Sequence, residues 1–279
     1  MKIRSTERVH SFAKELFQAI PLYEIQGLTL NAKNEFTAGI EAVEVDALED
    51  IDLKGIFTRN EWKAKCLLCS KLKIPFYLLK YKDGEKDIII YDITFVDTMR
   101  DIKITINARV DKTEFPGWWL KIKGTIQSKQ VYEARERIDK STFDNLIESK
   151  GLSWGGNIDG YFIDDSDNIK AIVEKRTTNM SFTEYDPAHY FRGTQRKSGD
   201  YKTWEPLIIL ALKLHAPLFL MTFDGKSEDK VVGFSVVKSI SNKELIYQTG
   251  PPYRNILHSV EEVKDTIIKN LTREPPEII

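Results

Sequence analysis

Ile158-Asp159-Gly160-Tyr161-Phe162-Ile163, Asp164-Asp165-Ser166-Asp167-Asn168 and Ile169-Lys170-Ala171-Ile172-Val173-Glu174-Lys175-Arg176 follow one another without a break. The outer segments are rich in β-branched and aromatic residues and the middle one in turn formers, so the stretch predicts a β-hairpin. Side chains alternate across a strand, which puts Glu174 and Arg176 on one face and Lys175 on the other. Asp159 stands on the partner strand. Two carboxylates on adjacent strands can share a hard cation such as Mg²⁺, or Mn²⁺, through their oxygens. A neighbouring cationic side chain can then orient an attacking water or stabilise charge developing on a scissile phosphate. The charged trio ends the apolar run Ile169 to Val173, where charge is costly unless it is paired or bound to metal. The bland alternative is a surface ion-pair cluster worth little in stability.

Working outward, a helix is expected from Ser141, a plausible N-cap, to Gly151, a plausible C′ residue, preceded by a charged helical stretch from Val131. After the hairpin come a basic loop, a helix over 201–214, strands over 217–223 and 231–237, and an amphipathic helix from Ser259. The N-terminal part reads as a helix over 5–20, strands over 28–45 with a turn at Lys33-Asn34, a helix over 60–72 and a strand over 75–79. Residues 87–129 carry enough β-branched and aromatic residues for three or four strands. Within them, Pro116-Gly117-Trp118-Trp119 reads as a β-turn with one ring in the core, with base stacking as the alternative.

With these elements in order, the segment 140–240 resembles the PD-(D/E)XK nuclease superfamily, which includes many restriction and repair endonucleases. That family's pattern is an acid in one strand, a short gap, and acid-x-lysine in the next, followed by a helix and further strands. Asp159 matches the first acid and Glu174 the second. Arg176 stands where the family has lysine, and a guanidinium is no simple replacement for an ammonium. Lys175 could take the part only if a bulge turned it inward, and Lys170 is a more remote donor. Glu148 matches a position where some members carry an additional acid. The resemblance implies an α/β (α+β) fold, a restriction-endonuclease-like mixed sheet flanked by helices. It also implies catalysis by Asp159, Glu174, Arg176 or Lys175, and Mg²⁺ held by Asp159, Glu174 and Glu148.

The two halves also resemble each other. Trp62 to Leu78 can be laid on Trp204 to Leu220 without a gap, matching Trp62 with Trp204, Leu68 with Leu210 and Pro75 with Pro217. Ile25-Gln26-Gly27 resembles Ile158-Asp159-Gly160, and Ala42 to Asp46 resembles Ile172 to Arg176, which pairs Glu44 with Glu174. This suggests two pseudo-duplicated lobes, 1–130 and 131–279, the first a degenerate structural or DNA-holding copy and the second catalytic. The same alignment gives the Cys66-Leu67-Leu68-Cys69 motif the apolar counterparts Ile208 and Ala211, so packed free thiols are expected, not a metal site.

The loop after Arg176 mixes Arg192, Gln195, Arg196, Lys197 and Lys202 with His189 and Tyr190, a composition suited to phosphate contacts and base-edge reading or equally to a solvated loop. His189 could act as a base, though a lone loop histidine is more often incidental. The 41 basic and 42 acidic residues nearly cancel, which excludes a histone-like coat but leaves room for a locally basic groove. The greasy run 206–223 carries Lys213 and His215 and is broken by Pro217, so it reads as helix and strand, not a membrane span. No apolar secretory segment opens the sequence, and two cysteines give no disulfide framework, so a cytoplasmic address is expected. The expected function is a metal-dependent endodeoxyribonuclease of restriction type acting on DNA, with homodimerisation so that two sites face two strands. The alternative is a catalytically inactive nuclease-fold protein that binds nucleic acid or serves in assembly.

Overall fold

The computed structural model describes residues 11–46, 48, 52–96, 101–124, 142–152, 154–178, 185–190, 201–225, 231–241 and 244–278. The fold is mixed α/β, and the chain forms two compact units, Ile25–Asn157 and Arg8–Glu24 with Ile158–Ile279. This differs from a division into 1–130 and 131–279: the N-terminal helix joins the second unit, and the helix before the 158–176 hairpin joins the first.

In the first unit the strands are β1 (Tyr23–Leu30), β2 (Phe36–Glu44), β3 (Phe76–Tyr81), β4 (Asp87–Val96) and β5 (Asp101–Asp111), paired in that order. β1 and β2 form an antiparallel hairpin, β2 runs parallel to β3, and β4 and β5 add antiparallel strands. Between β2 and β3 lies α2 (Arg59–Leu72), opened by a capping box in which Thr58 and Glu61 satisfy each other's backbone N–H groups. Two more helices follow, α3 (Phe115–Lys123) and α4 (Thr142–Ser149). Phe115, Trp119, Phe143 and Ile147 pack with Ala38, Ile40, Ala42, Leu79 and Tyr81. Burying each of those rings contributes roughly 2–3 kcal/mol over leaving it exposed.

Trp118-Trp119 therefore lie in a helix, not in the strands or the turn expected there. Pro116 sits in the first helical turn, where its missing N–H is harmless, and Gly124 closes the helix at φ 61°. The aromatic pair mimics strand text, yet the spacing of Phe115, Trp118 and Trp119 is helical.

The second unit repeats the strand order with β6 (Gly155–Ile163), β7 (Ile169–Thr178), β8 (Leu218–Asp224), β9 (Val232–Ile240) and β10 (Leu245–Tyr247). The pairings are again antiparallel, parallel, antiparallel and antiparallel. Two short strands, β11 (Ile256–Leu257) and β12 (Glu277–Ile278), also pair with β9. α5 (Tyr201–Leu214) joins β7 to β8 as α2 joins β2 to β3. On the other face, α1 (Ser11–Ala19) and α6 (Val260–Asn270) bury Phe12, Leu16, Val263 and Ile267 against Ala171, Val173, Phe219, Met221 and Phe234. Ser259 caps α6 through its side chain. Among the described residues no helix is long and apolar enough to cross a membrane.

The likeness extends to single hydrogen bonds. In the hairpin turns, the Asn31 side chain accepts from Lys33 N and Glu35 N, and the Asp164 side chain from Ser166 N and Asn168 N. After the helices, Lys73 (φ 58°) and His215 (φ 51°) both take the left-handed conformation. Gly39 N then donates to Pro75 O at 3.0 Å, and Ile172 N to Pro217 O at 2.9 Å.

Two consequences of this packing can be measured. Gly27 and Gly160 occupy matching places on β1 and β6. A Cβ at Gly27 would fall 2.2 Å from the Trp154 ring, and one at Gly160 would fall 2.5 Å from the Leu22 side chain. The Trp154 ring is pinned, because its Nε1 donates to Asp144 at 2.8 Å, whereas a leucine end can rotate away. Gly27→Ala is expected to destabilise by about 1–3 kcal/mol and Gly160→Ala by less, read from urea melts.

The two matched tryptophans differ in a similar way. Trp62 Nε1 donates to Lys54 O at 2.9 Å, while Trp204 Nε1 is buried with no partner among the described residues. Trp62→Phe therefore loses a hydrogen bond that Trp204→Phe does not. The first should cost about 1 kcal/mol more than the second in the same melts.

Candidate functional site

Alternation on β7 separates its residues as the sequence requires. Ala171 and Val173 enter the core under α1 and α6, leaving Ile172, Glu174 and Arg176 on the opposite face, where α5 packs. β6 pairs Gly160 with Val173 and Tyr161 with Ile172, so the next step of the same ladder sets Asp159 across from Glu174. The ladder with β8 brings Thr222 beside Arg176.

Three side chains meet there. Arg176 Nε lies 2.7 Å from Glu174 Oε1, and the guanidinium sits over the Trp204 ring, 5.6 Å from its centroid. The Glu174 and Asp159 carboxyl groups stand within hydrogen-bonding reach of each other. Asp159 Oδ2 also accepts Lys175 N at 2.8 Å, which fixes the carboxylate on the backbone of the facing strand. Glu174 is 6% exposed. Burial, with the negative charge of Asp159 beside it, pushes its pKa well above the ordinary carboxylate range, and the Arg176 guanidinium opposes the shift without cancelling it. A hydrogen bond between two carboxyl groups needs a proton. Among the described residues two carboxylates and one guanidinium sum to one negative charge, with Glu174 buried and Asp159 half-buried, a charge that a proton or a further cation can balance.

That unbalanced charge is the observation by which the residues fit a divalent ion. Asp159 and Glu174 would hold it. Among the described residues no group of three or more His, Cys, Asp or Glu gathers, so the remaining ligands would be water and phosphate oxygens, as is common for Mg²⁺.

Other expected members stand elsewhere. Lys175 points to the opposite face, its Nζ 2.5 Å from Glu24 Oε1 and 5.5 Å from the centre of the Phe17 ring. The β7–β8 ladder is regular from Ile172 to Thr178, so no bulge turns Lys175 inward, and its assignment as a catalytic residue is corrected. Lys170 shares the parity of Glu174 but precedes it by two positions on that face. Glu148 is exposed on α4, whose Phe143 and Ile147 belong to the core of the first unit. His189 is exposed in the short 3₁₀ turn Pro187–Tyr190. Arg192, Gln195, Arg196 and Lys197 lie outside the described residues, as does the side chain of Lys202 in the first turn of α5.

The first unit carries a second polar cluster that the sequence reading missed. Ala42 N donates to Gln26 Oε1 at 2.7 Å, the same bond that Lys175 N makes to Asp159. Ala42 therefore corresponds to Lys175, and Glu41, not Glu44, corresponds to Glu174. The parallel ladders agree, pairing Glu41 with Leu78 and Glu174 with Leu220. Glu41 accepts from Gln26 N at 2.9 Å and from Lys65 Nζ at 2.6 Å. Lys65 is 5% exposed and lies over Phe57, 4.5 Å from the ring centre. A signal for it existed: Lys65 falls between Trp62 and Cys69 on the buried stripe of α2, where a charge needs a partner. Cys66 and Cys69 are free and buried, and burial pushes the Cys66 thiol up to about 12, so neither is poised as a nucleophile.

The chain matches no protein-family model, and no curated protein or solved structure matches it.

Proposed function

We propose that the second unit hydrolyses phosphodiester bonds in DNA as a metal-dependent endonuclease of restriction type, on a restriction-endonuclease-like fold. The observation that carries this reading is the Asp159–Glu174 pair, in which a buried and a half-buried carboxyl group stand within hydrogen-bonding reach of each other and, with Arg176, sum to one negative charge among the described residues. Asp159 and Glu174 would hold Mg²⁺ or Mn²⁺. When bound, such an ion supplies Lewis acidity toward a phosphate oxygen and makes water a stronger nucleophile. Asp159 is oriented by Lys175 N and Glu174 by Arg176. The guanidinium, kept charged at any working pH, would lie against a non-bridging phosphate oxygen and attract the charge that builds there. The 186–202 loop, with Arg192, Gln195, Arg196, Lys197 and Lys202, would grip the DNA. Two chains would associate so that two sites address two strands. The two free cysteines accord with a cytoplasmic setting.

The repeated strand order and hydrogen bonds support a duplication in which the first unit is the non-catalytic copy. One observation favours a second reading, an inactive nuclease-fold protein that binds nucleic acid: Arg176 already occupies one Glu174 oxygen at 2.7 Å.

Incubation of mixed-sequence plasmid DNA with the chain and Mg²⁺ or Mn²⁺ separates the two. Discrete fragments support the nuclease. A folded chain that retards DNA without cutting it supports the binding protein.

A further inference from the structure

The two units place their polar residues on one backbone frame but balance charge differently. In the second unit the frame carries Asp159, Glu174 and Arg176, which sum to one negative charge. In the first, the corresponding positions carry Gln26, Glu41 and Val43, and α2 contributes Lys65. Residues 62–78 and 204–220 run in step, so the counterpart of Lys65 is Leu207, a buried apolar residue. One carboxylate and one ammonium leave no net charge.

Geometry supports the same contrast. Lys65 Nζ lies 2.6 Å from Glu41 Oε1, and both side chains are almost wholly buried. The same oxygen accepts Gln26 N at 2.9 Å. Gln26 keeps the backbone bond that Asp159 makes, through Oε1 to Ala42 N, but brings an uncharged amide. The other lysine on this face, Lys80, gives its Nζ to Leu48 O at 2.7 Å and does not address Glu41. Where the second unit has a carboxyl pair short of a cation, the first has a carboxylate already furnished with one.

We infer that the first unit is a self-neutralised divalent-cation site, in which the Lys65 ammonium stands at Glu41 as a resident cation and shuts out metal. The inference rests on reading Asp159–Glu174 as a metal pair. Its consequence is one divalent ion per chain although the frame occurs twice. An ammonium on a packed helix cannot leave its carboxylate without being buried alone, so the closure is permanent, not regulatory.

The test counts bound Mn²⁺ by the loss of the free-ion electron paramagnetic resonance signal, using the full chain. To make the first unit readable by itself, every variant carries Asp159→Asn and Glu174→Gln. That background should bind no Mn²⁺. Adding Gln26→Asp restores an acid pair but leaves Lys65 in place, and should still bind none. Adding Lys65→Leu as well gives the acid pair and the apolar helix residue of the second unit, with Val43 still in the place of Arg176, and should bind one ion per chain, lost again on Glu41→Gln. If the restored acid pair binds Mn²⁺ with Lys65 intact, or fails to bind it after Lys65→Leu, the inference is overturned.

Two buried carboxylates without a cation could prevent folding in EDTA. Refolding then gives the answer: recovery of the native circular dichroism with Mn²⁺ supports the inference, and equal failure with and without Mn²⁺ overturns it. The second unit is judged separately, by Mn²⁺ uptake in the wild-type chain against the Asp159→Asn, Glu174→Gln background. A wild type that takes up nothing defeats the nuclease reading, while the comparison at Lys65 keeps its own outcome.

Discussion

On the proposed nuclease reading, Glu174→Gln and Asp159→Asn are each expected to lower Mg²⁺-dependent DNA cleavage by at least about a hundredfold, while Glu174→Gln is expected to make the metal-free fold more stable toward neutral pH. The first effect follows from removing one of two oxygen ligands and the electrostatic stabilisation that depends on it. The second follows from proton linkage. The folded chain raises the Glu174 pKa above its ordinary value of 4.5 through burial and the charge of Asp159. Between the unfolded and the folded pKa the native state therefore holds more protons than the unfolded state. Stability from this group is fully present below the unfolded value and is lost as pH rises through the folded one. A glutamine cannot ionise, so the variant lacks that downward slope and gains on the wild type across the window. If the pair holds Mg²⁺ as proposed, the ion should reverse the comparison, because it would bind the ionised pair in the wild type and release the proton. Urea melts from pH 4 to 8, in EDTA and in Mg²⁺, read both arms. A Glu174→Gln chain that cuts DNA at the wild-type rate would remove Glu174 from the chemistry.

Lys65→Met should be the most damaging change outside the candidate site. It leaves the Glu41 carboxylate buried without a counter-charge, a loss of about 3–5 kcal/mol. For a chain of this length that lowers the melting temperature by roughly 10 °C. The added loss of the Lys65–Phe57 contact is below about 1 kcal/mol. Lys65→Met with Glu41→Gln removes both charges, and the double variant should recover most of the loss. A pair of thermal melts completes the cycle. If the single and double variants melt together, Glu41 is not held by Lys65 and the charge balance drawn for the first unit is wrong. A carboxylate this buried also has an escape through protonation, so the defect of Lys65→Met should shrink as the pH falls.

Much of this architecture could be read before any coordinates. The 158–176 hairpin announced itself by two apolar runs around Asp164 to Asn168, and the structure forms that turn with Asp164 accepting from the backbone twice. The helices over 59–72 and 201–214 were visible in their period and in the breaks that follow them. The alternation that put Glu174 with Arg176 also predicted that Lys175 would face away. Other features depended on distances that local text does not carry. Glu44 looked like the partner of Glu174 because both follow an Ala-Val or Ile-Val pair. Register is fixed instead by the parallel ladders, and the segments between strand and helix, 45–58 and 179–200, differ in length, so a match on local likeness slips. Lys65 was overlooked because a lysine in a helix is ordinarily solvated. Only the depth of the α2 stripe, and a carboxylate 24 residues away in sequence, make it a buried counter-ion. The α3 tryptophans were misassigned because aromatic richness was weighed above spacing.

The exchange of helices between the halves bears on how the protein can be made. α1 leaves the ribosome about 240 residues ahead of α6, yet the surface that buries Phe12 and Leu16 includes residues from α6. For most of synthesis that helix has no completed seat, and its apolar face is a natural target for holdase chaperones. Among the described residues, by contrast, the core of the first unit draws on 25–157 alone, which can close while translation continues. A fragment cut at residue 131 would inherit α4, which belongs to the other core, and would lack α1, which belongs to its own. Limited proteolysis and fragment expression should therefore favour 25–157 as the separable piece, and the remainder should persist only when residues 8–24 are supplied with it.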